Sequence, residues 1–202
     1  MSGHHHHAAV SNLKLAFFLN VGFTIIEFVG GLLTNSTAIL ADAVHDLGDC
    51  FALAQAWYFE SISEKKATQT YTYGYRRFTL LGAVISALLL LVSSFYVLSE
   101  AIPRIIEPEH SNAEGMLLLA IIGIAVNGFA MLRLSKGTSA NIRVVALHLM
   151  EDVLGWVAIL VVAIILLFKD IPILDPILAT FITLYILTNV IKQLKKIIPV
   201  FL

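Results

Sequence analysis

A single cysteine, Cys50, stands among 202 residues, which excludes a disulfide-stapled scaffold. Charge is equally scarce. Charged residues make up 13% of the chain, where a soluble globular domain carries about a quarter, and an ordinary soluble fold is excluded with them. The net charge is −1, so no excess of either sign marks a nucleic-acid or acidic partner, and none is expected. Disorder is excluded from the opposite direction, because 58% of the residues are hydrophobic. What the chain has in abundance is long apolar runs. With a mean hydropathy of +0.87, they point to a polytopic membrane protein whose first partner is the lipid bilayer.

A spanning helix needs roughly 20 apolar residues, so this length holds about six spans. Uncharged runs occupy 15–26, 28–41, 50–59, 78–99, 115–132, 153–168 and 177–191. Polar breaks group them into six expected helices, at 13–33, 37–59, 77–100, 114–134, 142–168 and 176–194. Strands of a membrane barrel would be about ten residues long and would alternate in polarity, and these runs do neither. The expected fold is all-α, with six transmembrane helices over residues 13–200 behind a flexible His-containing tail at 1–12. Lys and Arg placement sets orientation. Eleven lie in the N-terminal tail, the second and fourth loops and the C-terminus, against two, Arg104 and Lys169, on the other side. Both termini are therefore expected in the cytoplasm of a multi-pass protein, in the plasma (inner) membrane if the source is bacterial. The first apolar run contains Glu27 and lacks a short core with a cleavage site, so no signal peptide is expected.

Ionisable groups inside a membrane are costly and mark function by default. On the second expected helix Asp42, His45, Asp46 and Asp49 follow i, i+3, i+4, i+7 spacing and share one stripe. On the fifth, His148, Glu151 and Asp152 share a face. Both helices thus carry His-x-x-x-Asp, as His45/Asp49 and His148/Asp152. At about 1.5 Å rise per residue, in the expected topology, all four fall near the middle of a hydrocarbon core about 30 Å thick. Two imidazoles and two carboxylates form a tetrahedral N2O2 set suited to Zn2+. An ion would also supply the charge that two buried carboxylates lack. The bland alternative, inward polar residues bonding helices together, suits one such pair better than two at matching depth.

The segments Ala41–Asp49 and Ala146–Asp152 resemble the zinc-transporting cation diffusion facilitators. Tyr73-Gly74-Tyr75-Arg76-Arg77, Asn127 and Asp175-Pro176-Ile177 agree with that family, and the likeness spans about 13–200. It implies a homodimer that moves Zn2+ out of the cytoplasm by alternating access in exchange for protons, with His45, Asp49, His148 and Asp152 holding the transported ion. His45 in the first position implies zinc rather than cadmium. Most members continue into a cytoplasmic metal-binding domain, whereas residues 1–202 stop at Phe201-Leu202. The His-rich loop of some eukaryotic members is missing, since 135–141 contain no His. Proton coupling has a physical basis as well: a ligating imidazole must be neutral, and free imidazole titrates near pH 6.5.

Other residues receive plainer expectations. Asp42 and Asp46 line a hydrated path or back up the ligands, with Asp42 near enough to the outer end to face water. Glu151 is a structural partner or proton relay. Asn20 and Glu27 form an inward polar seam, Cys50 packs, and Arg76-Arg77 set topology. His4–His7 form a metal-collecting tail or a purification tag, and His110 sits in a solvated loop. Three functional alternatives stand beside zinc efflux. One is transport of Cd2+, Co2+, Fe2+ or Mn2+, which affinity order alone does not separate. An intramembrane metal hydrolase needs an open coordination position that four protein ligands would close. A structural bundle leaves the duplicated His-x-x-x-Asp unexplained.

Overall fold

The structure, a computed structural model, describes the backbone at residues 3–62, 76–134 and 140–201, and side chains over 17–51, at 54 and 58, and over 84–132 and 149–196. Among the described residues it is all-α, with six helices: α1 (Gly3–Thr34), α2 (Thr37–Ile62), α3 (Arg76–Ile106), α4 (Ala113–Leu134), α5 (Ala140–Phe168) and α6 (Leu174–Phe201). No strand occurs among the described residues. Each expected helix is present, with different ends. α1 starts at Gly3 rather than 13, α3 runs to Ile106 rather than 100, and α6 runs to Phe201 rather than 194. Apolar runs mark where hydrocarbon would be met, but a helix satisfies its own backbone and need not stop there. Even Pro103 fits near the end of α3, where the Glu107 N–H donates to its carbonyl at 2.8 Å.

Among the described residues, five helices contain windows long and apolar enough to cross a membrane: Phe17–Thr34, Val84–Ile106, Ala113–Leu132, Leu149–Phe168 and Leu174–Lys196. α2 carries Asp42, Asp46 and Asp49 in its first half and shows no such window among the described residues. Large apolar side chains point outward, with Leu33, Ile106 and Phe168 more than three-quarters exposed, while Glu27, Asp46 and Asp175 are buried. This inverts the rule for proteins in water and fits a lipid surround. The chain is a multi-pass integral membrane protein.

The chain divides into two compact units, one of residues 1–25, 44–95 and 184–202, the other of 26–43 and 96–183. In the first, Phe23, Cys50, Ala87, Ser94, Ile186 and Val190 are buried. At Gly48 a β-carbon would collide with the Leu90 side chain, so α2 and α3 approach through a missing side chain.

The second unit is built around the corner between α1 and α2. Asn35 adopts a left-handed φ of 52°, which Asn tolerates better than most residues. Around it Ser36 N–H donates to Gly31 O at 3.0 Å and Asn35 N–H to Leu32 O at 3.3 Å, the paired bonds that close a Schellman helix end. Ser36 then caps α2, its Oγ accepting from the Ile39 N–H at 3.2 Å. Arg104 donates to the Asn35 side-chain and main-chain oxygens at 2.9 and 3.2 Å, and Ser111 Oγ donates to Asn35 O at 3.1 Å. From the start of α6, buried Asp175 accepts from Ser36 Oγ at 2.5 Å and from Thr37 N and Oγ1 at 2.7 and 2.8 Å. The first turn of α2 is thereby held from three sides. α4 and α5, both wholly in this unit, pack against each other. Trp156, fully buried, lies on Gly123, where a β-carbon would meet its ring.

Candidate metal-binding residues

His45 and Asp49 lie one turn apart on α2, in the first unit. Their Nε2 and Oδ2 atoms are 3.6 Å apart, and the side chains are 23% and 18% exposed. Two ligands held at about 2.0–2.2 Å from a tetrahedral zinc ion lie roughly 3.3–3.6 Å from one another. The pair therefore has the spacing of two ligands of one ion, without a change of backbone. Both side chains are partly exposed, although Asp49 Oδ2 itself is turned inward and buried.

Asp152 lies on α5, in the second unit, and is 5% exposed. Trp156 follows one turn later on the same face. His148 lies on α5 one turn before Asp152, and its side chain falls outside the described residues. The structure thus pairs His45 with Asp49 and buries Asp152. Arg76-Arg77, His4–His7 and the segment Tyr73–Tyr75 also lie outside what is described at the side-chain level.

Of the two places expected for Asp42, the one facing water is not where it lies. It is buried, and its Oδ1 sits 3.4 Å from where a β-carbon on Gly155 of α5 would be. Asp42 is covered by α5, which passes it at ordinary van der Waals distance. Asp46 is buried as well, and its carbonyl accepts from Asn20 Nδ2 at 3.3 Å. The same Asn20 nitrogen donates to Cys50 Sγ at 3.3 Å, and Thr24 Oγ1 lies 3.5 Å from that sulfur. Asn20 thus ties α1 to α2 as a polar seam should, and Cys50 packs inside it. Glu27, fully buried, belongs to the other unit. Glu151 is exposed. His110, also exposed, pairs with Asp170 at 3.0 Å across the two loops flanking α4 and α5.

The residue whose role was not expected is Asp175. In the sequence it is only part of the family likeness, yet it fixes the start of the helix that carries His45 and Asp49. Its partners lie 137–139 residues away in the chain, and no local pattern connects them.

Residues 13–202 match the cation efflux transmembrane domain. The chain is 38% identical over 196 residues to the cadmium, cobalt and zinc/H(+)-K(+) antiporter of Bacillus velezensis, covering 94% of this chain and 63% of that protein. It is 35% identical over 202 residues to the zinc transporter ZitB of Pectobacterium atrosepticum, covering 97% and 63%. To the metal cation efflux system protein CzcD of Cupriavidus metallidurans it is 36% identical over 206 residues, covering 100% and 65%. The chain spans less than two thirds of the length of each of these relatives. With the match running from residue 13 to the last residue, the chain belongs to the cation efflux family through that family's transmembrane domain.

Proposed function

We propose that residues 13–200 form a transport domain that moves Zn2+ out of the cytoplasm in exchange for protons. The ion would be held in the membrane by His45, Asp49, His148 and Asp152, with access alternating between sides, in a homodimer. The observation that carries this reading is the His45–Asp49 pair, 3.6 Å apart and partly exposed on a helix of a membrane protein. Burial of Asp152 adds to it, since a carboxylate in hydrocarbon calls for a cation. The relatives' names support metal export as the activity, and one of them names antiport. A transporter is favoured over an enzyme because four protein ligands leave no position for an activated water.

The test is zinc flux in proteoliposomes under an imposed pH difference, with wild type beside Asp49→Ala and Asp152→Ala. Flux that follows the gradient and is lost in both variants is the expected result. Flux that survives either substitution, or ignores the gradient, overturns the reading.

A broader specificity is the second reading, favoured by one observation: the relative at 38% identity is named for cadmium and cobalt as well as zinc. Competition of Cd2+ and Co2+ against zinc flux in the same vesicles separates the two. Inhibition at concentrations comparable to zinc would widen the substrate class, and inhibition only at large excess would restrict it.

A further inference from the structure

Asn127 lies on α4, 3% exposed, and its Nδ2 has no hydrogen-bond partner among the described residues. An unmet buried donor costs about 1–3 kcal/mol, and in a membrane no water inside the hydrocarbon offsets that cost. The register of α4 against α5 supplies a reason for it. These helices are joined by residues 135–139 and pack together, which makes them an antiparallel hairpin. Gly123 on α4 meets the ring of Trp156 on α5. One turn toward the connection leads from Gly123 to Asn127 on α4, and from Trp156 to Asp152 on α5. Asn127 therefore stands opposite Asp152, and both are buried in the same unit.

We propose that Asn127 is a positioning residue for the transported ion: its side-chain amide closes onto the Asp152 carboxylate when that group turns to ligate the cation. A carboxylate has about four lone-pair sites, so it can bind an ion and accept an amide N–H together. The amide fixes which oxygen faces the ion and restricts the rotation of the group. Ligating carboxylates elsewhere are commonly held in this way, and loss of such a partner weakens metal binding roughly 10–100-fold. The inference rests on Asp152 being a ligand, and the experiment below separates failure of one from failure of the other.

Zinc binding to the purified full chain in detergent is measured by titration calorimetry for wild type, Asn127→Leu, Asn127→Ala, Asp152→Ala and the Asn127→Leu/Asp152→Ala double variant. Leu keeps Asn's branched four-atom outline without the amide and Ala removes the amide without adding volume, so in at least one of the two the thermal unfolding midpoint should not fall below that of wild type. The expected result is zinc binding at least about tenfold weaker for Asn127→Leu, with no further loss when Asp152→Ala is already present. A merely structural role would lower the midpoint and would add to the loss from Asp152→Ala. Wild-type affinity in both Asn127 variants, or additive losses in the double variant, overturns the positioning role while leaving Asp152 as a ligand. Undiminished binding in Asp152→Ala overturns the ligand assignment, and the role of Asn127 falls with it.

Discussion

Asp175 shows how much one side chain can hold. Its two oxygens accept from Ser36 Oγ, Thr37 N, Thr37 Oγ1 and Ala38 N, at 2.5, 2.7, 2.8 and 3.4 Å. Two of these donors are unpaired amides of the first turn of α2, where a negative charge is favoured by the helix dipole. Replacing it by Ala leaves several buried donors without an acceptor. Asp175→Ala should therefore destabilise the protein by at least about 2 kcal/mol, and Asp175→Asn, which keeps one oxygen, by less. Unfolding midpoints in detergent read this directly, and an unchanged midpoint for Asp175→Ala would show that water or other groups replace the carboxylate. At this scale the candidate ligands were legible, because i, i+4 spacing is a local property and His45 and Asp49 need only one helix to meet. The anchoring by Asp175 and the burial of Asp42 were not. Each depends on residues more than 100 positions away, which for Asp42 are those of α5 around Gly155.

Among the elements, the hairpin of α4 and α5 depends on a fit that composition does not announce. Both helices are apolar over most of their length, and the polar face of His148, Glu151 and Asp152 covers only the first half of α5, so polarity does not say which sides of the remainder meet. Contact is decided by shape, with Trp156 fully buried against Gly123. Gly123→Ala places a methyl group where the indole ring lies and should cost about 1–3 kcal/mol by overpacking. On the Trp156→Leu background the same substitution should cost much less, since the obstructing ring is gone. A double-mutant cycle on unfolding free energy measures this coupling, and simple additivity would mean the two residues do not share a contact. The helices themselves were legible as apolar runs between polar breaks. Their ends were not, because hydropathy reports where lipid is met, while the helix continues as long as its backbone bonds and caps allow. Capping shows the contrast: Asn112 opens α4 by accepting from the Gly115 N–H at 3.0 Å, a signal written in neighbouring residues.

For the molecule as a whole, the proposed exchange makes a signed prediction. Imidazole and carboxylate ligands bind metal only when deprotonated, so zinc and protons compete for the same groups. At equal pH on both sides, zinc affinity should fall as the pH is lowered from 7.5 toward 6, since a free imidazole gains its proton near pH 6.5. In sealed vesicles the consequence has a direction: an acidic compartment on the release side should speed zinc exit, and reversing the gradient should drive zinc back. An ionophore that collapses the pH difference should slow net movement to the rate set by the zinc gradient alone. Calorimetry at the two pH values and flux under both gradient directions give independent readings. If affinity falls with pH while flux ignores the gradient, binding competes with protons but transport is not coupled to them. Should affinity prove constant with pH, proton competition at these ligands is ruled out, and any gradient dependence must arise at groups other than the four.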